Sequence, residues 1–120
     1  MPYIRISVTQ KLTPEKQQSL ADGLGEAISK IPGKDASTLI VDVEDGKTMF
    51  FRGARQEDMV FADVSYFSNF PYQVKKAFTV AAFDAISEVL GTPKDNMCLT
   101  LNEYNNWGAR GGFRDEYYPE

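Results

Sequence analysis

Laid on itself at a shift of 58 residues, the distance from Ala27 to Ala85, the chain sets Ala27-Ile28-Ser29 on Ala85-Ile86-Ser87 and Gly33 on Gly91. The same shift pairs Ile6 with Val64, Leu20 with Phe78, Ile31 with Val89, Leu39 with Met97, Val41 with Leu99 and Val43 with Leu101. Any two β-α-β units share such periodicity, but the common register favours a duplication. A unit of about 60 residues buries too little surface to be more than marginal alone. Both halves are therefore expected in one domain over residues 1–120, as pseudo-repeats 1–58 and 59–120.

Each half reads strand, helix, strand. Ile4, Ile6 and Val8 alternate with Arg5 and Ser7, the period of a strand with one buried face. Thr13 offers a capping hydroxyl and Pro14 suits the first helical position, where its missing N–H would be unpaired anyway. Leu20, Leu24, Ala27, Ile28 and Ile31 make one apolar stripe before Pro32-Gly33 ends the helix. Leu39, Val41 and Val43 form the next strand. The second half repeats this with Ala62, Val64 and Tyr66, a helix entered at Asn69 and Pro71, an apolar stripe from Val74 to Val89, and a last strand carrying Met97, Leu99 and Leu101. The expectation is an α+β fold, a four-stranded mixed sheet with two helices on one face. Strands joined through a helix lie parallel, with right-handed crossovers. Thr48-Met49-Phe50-Phe51, inside the long connection, can form a short extra strand.

The other sheet face would carry Arg5, Ser7, Thr38, Ile40, Asp42, Phe61, Asp63, Ser65, Cys98 and Thr100. A solvent-facing sheet explains the polar members. Ile40 and Phe61, with Met49-Phe50-Phe51 nearby, point instead to covering by another subunit, which would also protect the sheet edges.

Composition narrows the function. A formal charge of −4 opposes phosphate-tracking nucleic-acid binding. Gly111-Gly112 lacks the lysine and hydroxyl residue of a nucleotide loop. Cys98 is the single cysteine and histidine is absent, which excludes an intrachain disulfide and the usual zinc ligands. No apolar run reaches membrane-spanning length and no signal-peptide layout opens the chain. A cytoplasmic protein that binds neither membrane nor nucleic acid is expected.

Without histidine, proton transfer near neutrality needs another group. Pro2 follows the initiator methionine, so loss of Met1 would leave a secondary amine at the start of a strand. An α-amino group titrates near pH ~7.7–8.0, and removal from water disfavours its charged form. Such an amine can act as a base. The plainer alternative is that Pro2 begins an edge strand, where its missing N–H costs nothing.

The start at Pro2, the two fused β-α-β units and the closing Asn106-Trp107-Gly108-Ala109-Arg110-Gly111-Gly112 together resemble the tautomerase superfamily, in particular its macrophage migration inhibitory factor-like branch. The aromatic-Gly-x-x-Gly turn is similar to that of 4-oxalocrotonate tautomerase. The resemblance implies a homotrimer with sheets around a central channel, pockets at subunit interfaces and no cofactor. It implies that Pro2 shuttles a proton between the carbon and oxygen of a keto-enol pair. Gly33-Lys34, five residues before Leu39, matches the branch's pocket lysine and makes Lys34 the candidate for a substrate carboxylate or carbonyl; a solvated loop lysine is the alternative. Tyr66 aligns with a pocket-lining aliphatic residue and would narrow the pocket. Cys98 and Thr100 align with a pocket tyrosine and asparagine that this chain lacks, and an arginine of the oxalocrotonate branch is missing at Cys98. Trp107 matches an aromatic pocket wall, with a core tryptophan as its alternative. Arg52, Arg55 and Arg110 are sources of the missing positive charge, none of them singled out. Nothing near Cys98 in sequence would activate it as a nucleophile.

The expected activity is therefore keto-enol tautomerisation of a small α-keto acid of the phenylpyruvate type. The alternatives are a binding or signalling protein on the same scaffold, or a proline-dependent hydratase or decarboxylase.

Overall fold

The computed structural model describes residues 1–115; residues 116–120 of the second repeat lie outside them. Strand β1 (Tyr3–Val8) leads into helix α1 (Pro14–Ile28) and returns as β2 (Ile40–Glu44), followed by the short pair β3 (Phe50–Phe51) and β4 (Ala54–Arg55). β5 (Val60–Phe67), α2 (Tyr72–Leu90) and β6 (Met97–Tyr104) repeat the motif, closed by β7 (Asn106–Ala109) and β8 (Gly112–Asp115). The main sheet runs β2-β1-β5-β6. β1 and β2 are parallel, β5 and β6 are parallel, and β1 meets β5 antiparallel. This is the expected mixed sheet.

The register holds the 58-residue shift residue by residue. Tyr3 faces Ile40 and Ile4 faces Val41, as Phe61 faces Cys98 and Ala62 faces Leu99. The two hairpins obey it too: Phe51 pairs Ala54 as Ala109 pairs Gly112. Between them stand Arg52-Gly53 (φ 55° and 76°) and Arg110-Gly111 (φ 52° and 78°), both residues in the left-handed region that a two-residue type I′ hairpin requires.

The core lies between sheet and helices. Ile4, Ile6, Val8, Val60, Ala62, Val64 and Tyr66 from the strands meet Leu20, Leu24, Ile28, Phe78, Ala82 and Ile86 from the helices, all buried. Each large apolar side chain among them contributes about 1.5–3 kcal/mol by leaving water. Thr13 caps α1 by accepting the Lys16 N–H at 3.2 Å, with Pro14 in the first turn. α2 begins after Pro71, which has no capping side chain, and ends at Gly91 in the left-handed conformation.

α1 stops at Ile28, earlier than its apolar stripe suggested. Ser29, Lys30 and Ile31 donate to Glu26, Ala27 and Ile28, tightening the last turn to i→i−3 bonds, and Ile31 stays buried beyond the helix. The loop that follows seats against α1 at Gly25, where a Cβ would come 2.8 Å from that of Ala36. That seat carries Lys34 toward the start of β1. No helix among the described residues is long and apolar enough to cross a membrane.

Candidate active site

Pro2 is buried, and its carbonyl accepts the Ile40 N–H at 2.9 Å, anchoring the chain start on β2. Beside it opens a cavity of ≈ 560 Å³ whose wall includes Pro2, Lys34, Thr38, Ser68, Trp107 and Arg110. Lys34 arrives from the loop after α1, where its N–H closes a turn on the Ile31 carbonyl at 3.1 Å. Trp107 and Arg110 come from the closing hairpin. Met1 also lines the cavity, together with a second, more aromatic depression of ≈ 420 Å³ bounded by Tyr3, Ile40, Tyr104 and Trp107. Trp107 is half-buried and tilts against Tyr104 at 5.9 Å between ring centroids. It is a wall between the two spaces.

Among the described residues the lining brings two cations, Lys34 and Arg110, and no acidic side chain. A cation and desolvation both disfavour a second positive charge nearby. Asp63, which would act oppositely, lies on the open sheet face, where Thr100 and Asn102 donate to it at 2.8 and 2.6 Å and Arg5 approaches at 3.5 Å.

Tyr66 does not line the cavity. It sits wholly in the core, with its ring edge-on to Phe70 at 5.7 Å. The Lys34 ammonium lies 5.4 Å from the Tyr66 ring centroid and 5.5 Å from that of Phe70, within cation-π range. Tyr66 therefore stands behind Lys34. Its hydroxyl donates to Glu103 at 3.0 Å, and burial, with that carboxylate second, pushes the phenol's pKa well above its ordinary value. Glu103 also accepts the Phe70 N–H at 2.9 Å and the Lys75 ammonium at 3.0 Å. Burial works to raise the Glu103 pKa, but Lys75, the Phe70 N–H and the Tyr66 hydroxyl together hold it below the usual carboxylate range.

Cys98 and Thr100 lie outside this cavity too. They occupy the open face of β6, Cys98 beside Phe61 and Thr100 beside Asp63, with Cys98 exposed. Of the candidates, the fold thus gathers Pro2, Lys34 and Trp107, puts Tyr66 beneath Lys34 and leaves Cys98 and Thr100 apart. It adds Thr38, Ser68 and Arg110. Ser68 (φ 88°) and Arg110 share left-handed backbone, a strain that concentrates at functional sites and that residue type does not announce. Among the described residues, no group of three or more His, Cys, Asp or Glu side chains is gathered to hold a metal.

The same fold, a four-stranded mixed sheet made of two parallel β-α-β pairs with both helices on one face, recurs in solved MIF-type and fused 4-OT structures. Leishmania major MIF2 matches it with a TM-score of 0.85 at 18% identity over 94% of this chain and 97% of that one. The wild-type symmetric trimer of Q0 fused 4-OT matches at 0.84 and 17% identity over 97% of each chain. Pt0534, inactivated by 2-oxo-3-pentynoate, matches at 0.82 and 20% identity over 92% of this chain and 93% of that one. No protein-family model and no curated protein matches the sequence.

Proposed function

We propose that the chain, with Met1 removed and Pro2 at its start, is a cofactor-independent tautomerase that interconverts keto and enol forms of a small 2-oxo acid such as phenylpyruvate. One observation carries the reading: Pro2 lies buried in the wall of a cavity that also holds Lys34 and Trp107. The neutral amine takes a proton from the carbon next to the ketone. The C–H electrons form the C=C bond, and the carbonyl π electrons move onto oxygen. Lys34 steadies that negative charge, as a positioned cation does. The Pro2 ammonium then returns its proton to the oxygen, leaving the enol and a neutral amine; the reverse sequence makes the ketone. The aromatic depression beside Trp107 supports an aryl substituent. Inactivation of Pt0534 by a 2-oxo carboxylate supports the ligand class.

Assembly as a homotrimer belongs to the same proposal. Ile40 and Phe61 are 44% and 38% exposed on the uncovered sheet face, and the fused 4-OT is a trimer. Covering that face would bring Cys98 and Thr100 to a neighbouring copy and not to their own cavity. Light scattering should find three chains at micromolar concentration; a stable monomer would overturn the assembly.

The test of activity is the decay of phenylpyruvate enol with protein whose intact mass shows Pro2 as first residue. The kcat/KM profile should show a base already neutral at pH 7. A limb above about pH 9 contradicts that assignment, and no turnover removes the reading. A second reading is a binding protein on the same scaffold, since a peptide bond to Met1, if kept, makes the Pro2 nitrogen a tertiary amide without a basic lone pair. An intact mass that keeps Met1 selects it. A hydratase or decarboxylase would need the protonated amine, which this cationic lining opposes.

A further inference from the structure

The duplication supplies an internal control for the end of the molecule at Pro2. The 58-residue shift carries Lys34, Tyr66, Phe70 and Glu103 to Thr92, Val8, Leu12 and Asp45. One part of this set is common to both ends. The Glu103 carboxylate accepts the Phe70 N–H at 2.9 Å, and the Asp45 carboxylate accepts the Leu12 N–H at 2.8 Å, so the acid that anchors the entry to each helix belongs to the scaffold. The rest is not shared. Where the opposite end has two aliphatic side chains and a hydroxyl, the end at Pro2 has two rings and an ammonium, the Lys34 Nζ lying 5.4 Å from the Tyr66 ring centroid and 5.5 Å from that of Phe70. The rings stand at 71° to each other, 5.7 Å between centroids, and so make two walls of a corner. Glu103 fixes both walls, Tyr66 through its hydroxyl at 3.0 Å and Phe70 through its backbone. A lysine's four-carbon stem is flexible, and a fixed corner narrows where its ammonium goes.

We propose that Tyr66 and Phe70 are positioning residues of the site at Pro2, an aromatic corner that holds the Lys34 ammonium in the cavity wall. This rests on the tautomerase reading for what the ammonium does there, and on the ring geometry alone for where it is held. Neither ring lines the cavity, so both act through Lys34. A ring face attracts a cation through its quadrupole and brings no net charge of its own, so this hold leaves the ammonium's charge to act on an enolate oxygen. The pairing of rings with cation at one end, and the loss of all three at the other, is what a functional addition to a shared scaffold leaves behind.

The experiment uses Phe70→Leu in the chain starting at Pro2, a substitution that copies Leu12 of the opposite end and so suits the fold. In protein made with isotopically labelled lysine, the NMR signal of the Lys34 ε-methylene group is identified by its loss in Lys34→Ala. It should lie upfield of the other lysines through the ring currents and move back toward them in Phe70→Leu. kcat for phenylpyruvate enol should fall about 3- to 30-fold, the size of one cation-π contact, with KM near wild type, because the ring acts on the ammonium. Phe70→Tyr, which keeps a ring, should retain both the signal and kcat. Added to Lys34→Ala, Phe70→Leu should cost nothing further; an equal loss there means that Phe70 only supports the fold, and overturns the proposal. A Lys34 signal that Phe70→Leu leaves unmoved overturns it too. The NMR shift needs no catalysis, which separates the two claims. An upfield signal that relaxes in Phe70→Leu, without any wild-type turnover, keeps the corner and discards the tautomerase; turnover with an unmoved signal does the reverse.

Discussion

The open cavity at Pro2 has a closed counterpart at the opposite end of β1 and β5. The 58-residue shift carries Pro2 to Val60, Lys34 to Thr92, Thr38 to Asn96, Ser68 to Gln10 and Arg110 to Arg52. There Val60 is 1% exposed and Thr92 equally buried. The Asp58 carboxylate accepts the Thr92 hydroxyl at 2.7 Å and the Gln10 amide at 2.9 Å, and Asn96 donates to the Asp58 carbonyl at 2.9 Å and to Gln56 at 3.2 Å. The chain entering Val60 brings hydrogen-bonded groups to positions whose equivalents at Pro2 line a cavity. One fold thus makes a cavity and a structural knot from equivalent positions. What separates them, among the described residues, is whether backbone occupies the space.

That contrast is open to attack, most severely at Pro2. Pro2→Ala should lower turnover of phenylpyruvate enol by about 10²–10⁴-fold, the contribution of a positioned acid-base group; a rate within twofold of wild type would place the base elsewhere. Next comes Lys34→Ala, for which a loss in kcat of about 10²-fold is expected from removing one preorganised charge. A rise in KM alone would move Lys34 from the transition state to ground-state binding. Asp58→Ala tests the closed end. It strands the buried Thr92 hydroxyl and should cost about 1–3 kcal/mol in urea unfolding, with kcat/KM unaltered; a catalytic defect would show that the two ends communicate. The smallest effect lies behind the pocket. Because the Glu103 pKa is lower in the folded chain than unfolded, its contribution is present above the ordinary carboxylate pKa of ~4.3 and fades as pH falls through the folded value. Stability measured from pH 6 to pH 2 should decline less steeply for Glu103→Gln than for wild type. Parallel curves would mean that the bonds from Tyr66, Phe70 and Lys75 do not favour the ionised form.

The elements were largely legible because their signals are local. Alternation named the buried faces of β1 and β5, and Thr13-Pro14 marked the start of α1. The end of α1 was not legible, since the seat of the following loop on Gly25 is a tertiary contact. Nor was β7-β8, whose pairing depends on an Arg-Gly turn in place of the usual Asn-Gly signal. Of the candidates named from the sequence, Pro2, Lys34 and Trp107 line one cavity. Tyr66 was assigned to the pocket although its place in the Ala62-Val64-Tyr66 alternation already directed it to the core. Arg110 stood level with Arg52 and Arg55, since an arginine's residue type says nothing about whether a ring or a carboxylate will hold it.

The sequence by itself determined the repeat, the strand-helix-strand order and which face of each element is apolar. These follow from periodicity and composition, which act over a few residues. Only the tertiary structure decided that Lys34 and Arg110 share a cavity with Pro2, that Tyr66 supports Lys34 from behind, and that the equivalent end is sealed by Asp58. The reason is that charge environment depends on distances between segments far apart in the chain, and those distances are set by strand register and loop seating.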